Sequence, residues 1–217
     1  MTRLHFQHQL EDVKHKLLRM GSLVESIVDM AVTSLKEQDL EAASKIALED
    51  DKIDSMDIEI EMDCMKLLAL QQPLAKDLRT IATALKIITD LERIGDHAVN
   101  IAKITLEIGK EPLIKPLIDI PRMARIAQEM IRLSLDAYVK EDIELAKKAA
   151  EMDQQVDDIY QAIIDELLQM IVDDPKITKQ ATKLMFVGRY LERIADHTTN
   201  VCERIIYMVT GKLEEIN

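Results

Sequence analysis

The chain is built twice. The segment that starts at Met20, MGSLVESIVDMAVTSLKEQDLEAASKIALEDDKID, aligns without a gap on MARIAQEMIRLSLDAYVKEDIELAKKAAEMDQQVD, which starts at Met123, at an offset of 103 residues. Three residues are then lost around the second turn. LERIGDHAVN (91–100) matches LERIADHTTN (191–200) at an offset of 100, with seven of ten positions identical. Any fold must therefore be assembled from two copies of one unit of roughly 100 residues. Duplication retained for packing accounts for the matched apolar positions. It does not account for the polar positions of the decamer, which match best.

The unit is helical. Apolar residues recur at 3-4 spacing between the few breakers, as in Leu78, Ile81, Leu85, Ile88 and Leu91. Only 5 Gly, 5 Pro and 3 % aromatic residues occur in 217, a mixture suited to long helices packed by aliphatic side chains. QQPL (71–74) and DDPK (173–176) have the chemistry of turns between helices, with Pro near a helix start. GKEPLIKPLIDIPR (109–122) carries three prolines and reads as the linker. LKEQDLEA (35–42) and VKEDIELA (139–146) read as polar corners where an Asp caps the next helix. The pattern predicts six helices, near 3–36, 39–70, 74–108, 116–138, 142–171 and 176–210. The fold class is all-α, with two tandem three-helix bundles at 1–110 and 111–217.

A net charge of -12 opposes binding to the phosphates of nucleic acid or to anionic lipid, and favours cations. The N-terminal MTRLHFQHQLEDVKHK has no apolar core of a secretory signal, and no run is long enough to span a bilayer. Cys64 and Cys202 sit among apolar neighbours at helical spacing, with no CxxC. They read as reduced core residues of a cytoplasmic protein. The 12 Met residues read as core fillers.

The acidic residues are arranged. At ~100° per residue, Glu92, Asp96 and Asn100 share one helix face, turned from Ile94, Ala98 and Ile101. Glu192, Asp196 and Asn200 repeat the row. Asp50, Asp54, Asp57 and Glu61 make a second acidic stripe beside Ile53, Met56, Ile60 and Leu67. Folding the hairpin at Pro73 brings Asp96 level with Asp50 and Glu92 level with Asp54. Folding at Pro175 brings Asp196 beside Asp153, and Glu192 opposite Asp158 and beside Asp157. Each hairpin thus gathers carboxylates that repel one another on a surface groove, and a bound cation is the simplest remedy. All-oxygen ligands with at most one His select Mg²⁺, Mn²⁺, Ca²⁺ or iron. His97 and His197 are further candidates, set against an interhelical His bonded to a nearby carboxylate. An ordinary solvated acidic face is the competing reading, and Arg93, Arg193, Arg79 and Arg189 could neutralise the rows. The second groove is poorer, with Tyr160 and Ile164 standing where the first has Asp57 and Glu61.

DLERIGDH and YLERIADH, each closing a three-helix repeat, resemble the PhoU family of phosphate-uptake regulators, as does LALQQPLAKDLR (68–79). The resemblance covers essentially the whole chain. Its Glu-or-Asp, three residues, Asp signature maps onto Glu92 and Asp96, and onto Glu192 and Asp196. It implies six helices in two bundles, a divalent or trivalent ion on these carboxylates (iron, manganese, magnesium or zinc) and no catalysis. It also implies a cytoplasmic, homodimeric negative regulator of phosphate uptake and of the phosphate-starvation response. The implied partners are a phosphate-sensing histidine kinase and the ATPase subunit of the phosphate ABC transporter, with contact to the membrane only through them. The alternatives are a carboxylate-bridged metal enzyme on a helical bundle and a helical oligomer without metal. Neither a Ser-His-Asp set, a reactive Cys nor a phosphate-cradling Gly-rich loop is visible.

Overall fold

Helices occupy nearly the whole chain in the computed structural model, which describes residues 3–70, 73–213, 215 and 216. They are α1 (Arg3–Glu37), α2 (Leu40–Leu70), α3 (Ala75–Ile108), α4 (Asp119–Lys140), α5 (Ile143–Ala150), α6 (Asp153–Asp173) and α7 (Thr178–Thr210). A short 3-10 turn, Pro175–Ile177, precedes α7. Five of the six expected helices appear within three residues of their expected ends. The fifth is a correction, because it is divided into α5 and α6. Glu151 and Met152 keep right-handed helical torsions (φ −60°, ψ −18°; φ −73°, ψ −18°). Their bonding tightens to three-residue steps: Met152 donates to the Ala149 carbonyl (3.3 Å), and Gln155 donates to that of Met152 (3.0 Å). No Pro or Gly marks this change, and apolar spacing runs straight through it.

The corners follow the duplication. Gln38 (φ 51°) and Glu141 (φ 52°) both turn left-handed at matched positions. The Asp39 carboxylate then accepts from the Glu41 and Ala42 amides, and the Asp142 carboxylate from that of Leu145. Both expected caps therefore form. Of the first hairpin turn, Gln71 and Gln72 lie outside the described residues. Beyond it, Asp77 accepts from the Leu74 amide and pairs with Arg3 at 2.7 Å.

Within each repeat the helices pack on one another: α1, α2 and α3 in the first, and α4, α5–α6 and α7 in the second. The repeats join along two helix pairs, α3 with α7 and α1 with α4. Core residues from both, such as Ile46, Ile81, Ile87, Val187 and Ile205, belong to one buried cluster. Cys64 and Cys202 are buried in it as free thiols. Leu78 departs from the inward row predicted for α3 and is 47 % exposed, at the outer end of the hairpin. No helix among the described residues is long and apolar enough to cross a membrane.

Candidate functional site

The α3–α7 seam brings the two decamers together. Contacts along it run in opposite order: Arg79 with Met208, Thr83 with Arg204, Asp90 with His197, His97 with Tyr190, and Lys183 with Glu107. The helices are antiparallel and related by a pseudo-twofold that passes through the decamers. Nine of the ten decamer positions have the same burial in both copies, and only Asn100, half-buried, and Asn200, exposed, differ. Leu91, Ile94 and Ala98 enter the core, as do Leu191, Ile194 and Thr198. The His residues face the seam, while the Glu and Asp residues face the grooves beside α2 and α6.

In the first groove Asp50 lies buried at the floor, 9 % exposed, and its Oδ1 has no hydrogen-bond partner. Burial, then Asp54, Asp96 and Glu92, push its carboxyl up to about 6. Glu92 is raised by burial and then by Asp96, against the pull of Arg93. Asp57 is raised by burial, Glu61 and Asp54, and its Oδ1 is also partnerless. Glu61 lines an adjoining cleft of about 340 Å³ with Asp57 and Lys86. The carboxylates that the hairpin register brings level therefore share one electrostatic site.

The second groove repeats this arrangement. Asp153 is 7 % exposed and pushed up to about 7 by burial, then by Asp157, Asp196 and Glu192. Asp153 Oδ1 and Glu192 Oε2 are buried without partners. Asp157 is raised by burial and then by Asp196. Asp157 acts on Glu192, whose carboxyl is raised chiefly by burial. Asp158 instead takes the Gln154 amide at 3.0 Å on the exposed side. Asp153, Asp157 and Asp196 line an open cleft of about 490 Å³, closed at one edge by Ile216 of the C-terminal tail. Tyr160, in the place of Asp57, lays its ring over Gly188, with Cδ2 3.0 Å from where a Cβ would stand. Apolar contact there stands where the first groove has the Asp57 carboxylate.

Both grooves fit a hard cation in their chemistry, because each has buried carboxylate oxygens without a hydrogen-bond partner among the described residues. Among the described residues no three His, Cys, Asp or Glu side chains stand gathered at ligating distance. The arginines divide. Arg93 spans Glu92 (3.4 Å) and Asp96 (3.3 Å), and Arg193 spans Glu192 (3.9 Å) and Asp196 (3.2 Å). Arg189 pairs with Glu192. Arg79 does not join them; it donates to the Met208 carbonyl at 3.2 Å, in the last turn of α7. The second groove thus has two cations to the first groove's one, besides fewer acids.

Only His197 takes the interhelical alternative; His97 has no carboxylate partner, and its buried Nδ1 has no hydrogen-bond partner among the described residues. His197 Nδ1 lies 3.0 Å from Asp90 Oδ1. His97 stacks on Tyr190 at 5.7 Å and lies 5.6 Å from His197. Burial, and next the neighbouring His197, hold the His97 imidazole down at about 4. His197 is thereby engaged outside the grooves, and the carboxylates supply most of the buried unpartnered atoms beside them. Sequence reasoning gave no role to Asp90 and Tyr190, the residues immediately before the two decamers. Their signal is that they occupy matched positions, 90 and 190, with unlike residues.

A family model described as the PhoU domain matches residues 17–105 and 120–205. A phosphate-specific transport system accessory protein PhoU homolog of Clostridium acetobutylicum is 44 % identical over 218 residues, covering 100 % of both chains. One from Aquifex aeolicus is 40 % identical, covering 94 % of this chain and 93 % of that one. The crystal structure of PhoU from Pseudomonas aeruginosa superimposes with a TM-score of 0.91 at 35 % identity, covering 95 % of this chain and 100 % of that chain. That of the phosphate transport system regulatory protein PhoU from Streptococcus pneumoniae gives 0.89 at 31 % identity, over 96 % of this chain and 99 % of that chain.

Proposed function

The chain belongs to the PhoU family, and on that premise we propose that it is a non-catalytic accessory protein that restrains phosphate transport and the phosphate-starvation response. One observation carries this reading: likeness to accessory proteins of phosphate transport runs from end to end of the chain and includes both decamers. Its partners are a phosphate-sensing histidine kinase and the ATPase subunit of the phosphate ABC transporter, met at the cytoplasmic face of the membrane. The protein works there as a homodimer. Deleting the gene in its host should raise a phosphate-starvation reporter in phosphate-replete medium, and the intact chain should restore repression. Capture from detergent-solubilised membranes should recover the kinase or the ATPase subunit. Capture of neither, with repression unaltered by the deletion, would refute the role.

The grooves hold metal ions in this reading. Glu92, Asp96, Asp50 and Asp54, with Asp57, hold one set; Glu192, Asp196, Asp153 and Asp157 hold the weaker. A hard divalent or trivalent cation supplies the charge that these carboxylates lack. The partnerless buried oxygens support this assignment. Metal occupancy would stiffen the hairpins and fix the surface offered to partners. Elemental analysis after gentle purification should find iron, manganese, magnesium or zinc. The melting temperature should rise with added Mn²⁺, and rise less in a Glu92→Gln/Asp96→Asn variant than in Glu192→Gln/Asp196→Asn. Equal loss in the two variants would contradict the ranking of the grooves.

A further inference from the structure

We propose that Gly95 is a positioning residue of the first groove, because the missing side chain admits the Asp50 carboxylate between α2 and α3. This rests on the metal reading above. A Cβ on Gly95 would stand 2.5 Å from Asp50 Oδ1, 3.4 Å from Ile53 Cδ1 and 3.6 Å from Ile27 Cδ1. The two isoleucines would be tight or ordinary neighbours. The carboxylate would not, since real Cβ atoms essentially never come under 3.0 Å of another heavy atom. Asp50 Oδ1 is also, with Asp57 Oδ1, a buried oxygen of this groove that has no hydrogen-bond partner among the described residues. Gly95 therefore makes room for a buried carboxylate oxygen that a cation would satisfy.

The second repeat reaches the same end by another route. Ala195 carries the Cβ that Gly95 lacks. The element bearing Asp153 is broken at Glu151 and Met152, so that Asp153 opens α6 as its first residue, while Asp50 lies inside the unbroken α2. One repeat deletes a side chain and the other interrupts a helix, and each leaves an aspartate oxygen buried without a partner. A Gly95→Ala change thus acts on the first groove alone, and Ala195→Gly leaves both grooves as they are.

The test uses the full chain with the second groove silenced by Glu192→Gln/Asp196→Asn. Mn²⁺ affinity is measured by calorimetry, melting temperature in EDTA, and the Asp50 side chain by crystallography of the metal-free protein. Adding Gly95→Ala should weaken Mn²⁺ roughly 10- to 100-fold, as loss of a ligand's supporting geometry does. It should match Asp50→Asn and displace the Asp50 carboxylate. Unchanged Mn²⁺ affinity would overturn the proposal, whatever the melting temperature does. If Gly95→Ala folds poorly, Asp50→Ala added to it should restore the melting temperature; no rescue would also overturn it. A parent that binds no Mn²⁺ would sink the metal reading instead. The metal-free crystals would then decide for Gly95 if Asp50 is displaced, and against it if Asp50 is unmoved.

Discussion

Asp50 holds its proton to higher pH in the folded chain than in the unfolded one, up to about 6. The stability it contributes is complete below the ordinary carboxylate range and is lost as pH rises through 6. Asp153 does the same, up to about 7. His97 works in the opposite sense. Its imidazole stays neutral to about 4, so its contribution is complete above the usual imidazole range and is lost as pH falls toward 4. The two trends partly cancel in the parent, and a variant separates them. Metal-free Asp50→Asn should be more stable than the parent at pH 8, by about 1–2 kcal/mol, and should lose that advantage at pH 4. Thermal melts in EDTA at both values measure this, and saturating Mn²⁺ should reverse the order at pH 8. Asp90→Ala should cost about 1 kcal/mol by leaving the His197 imidazole without its partner. Guanidinium titration reads that loss. At this scale the sequence revealed the acidic rows, because helical spacing and hairpin register are arithmetic. It hid Gly95, whose role is a space, and Asp90, whose partner lies 107 residues away.

Helix boundaries were legible wherever a Pro, a Gly or a capping Asp marks them. Gly109 (φ 65°) ends α3 and Gly211 (φ 74°) ends α7, as such positions demand. The α5–α6 break was not legible, since it changes hydrogen-bond spacing without changing residue type. The segment 109–122 reads as a linker, but its last four residues open α4 and the remainder, 109–118, is fastened to both repeats. Gln38 donates to the Gly109 and Glu111 carbonyls (3.0 and 2.6 Å), and Lys110 returns a bond to the Gln38 carbonyl (2.6 Å). On the other repeat, the buried Gln180 accepts from the Ile114 amide (2.7 Å) and donates to the Pro112 carbonyl (3.1 Å). Gln180→Ala removes both bonds, whose backbone partners are half-buried at Ile114 and exposed at Pro112, at a cost of about 1–2 kcal/mol. Hydrogen exchange at Ile114 should accelerate in that variant well before global unfolding, while exchange in α2 stays unchanged.

Two tandem bundles were predicted, and the repeats do pack as two sets of helices. What periodicity could not show is that they share a core. The apolar faces of α3 and α7 read alike whether they turn inward within a repeat or toward its twin. Geometry resolves this: α3 meets α7 and α1 meets α4, each antiparallel, about one pseudo-twofold. The α1–α4 pair follows the same order, with Leu135 over Gly21 and Gln128 on Asp29. A surface that fits its own near-copy about a twofold is self-complementary. Residues 1–110 expressed alone should therefore form a dimer, with α3 meeting a second α3 and His97 of each copy facing Asp90 of the other. Light scattering would give twice the fragment's mass, and a well-folded monomer would contradict it. Residues 111–217 offer only Tyr190 to His197 at that place and should associate less tightly. The seam along which the decamers cross is thus the scar of a fusion: an interface between equals, sealed inside one polypeptide and afterwards free to let its two sides diverge.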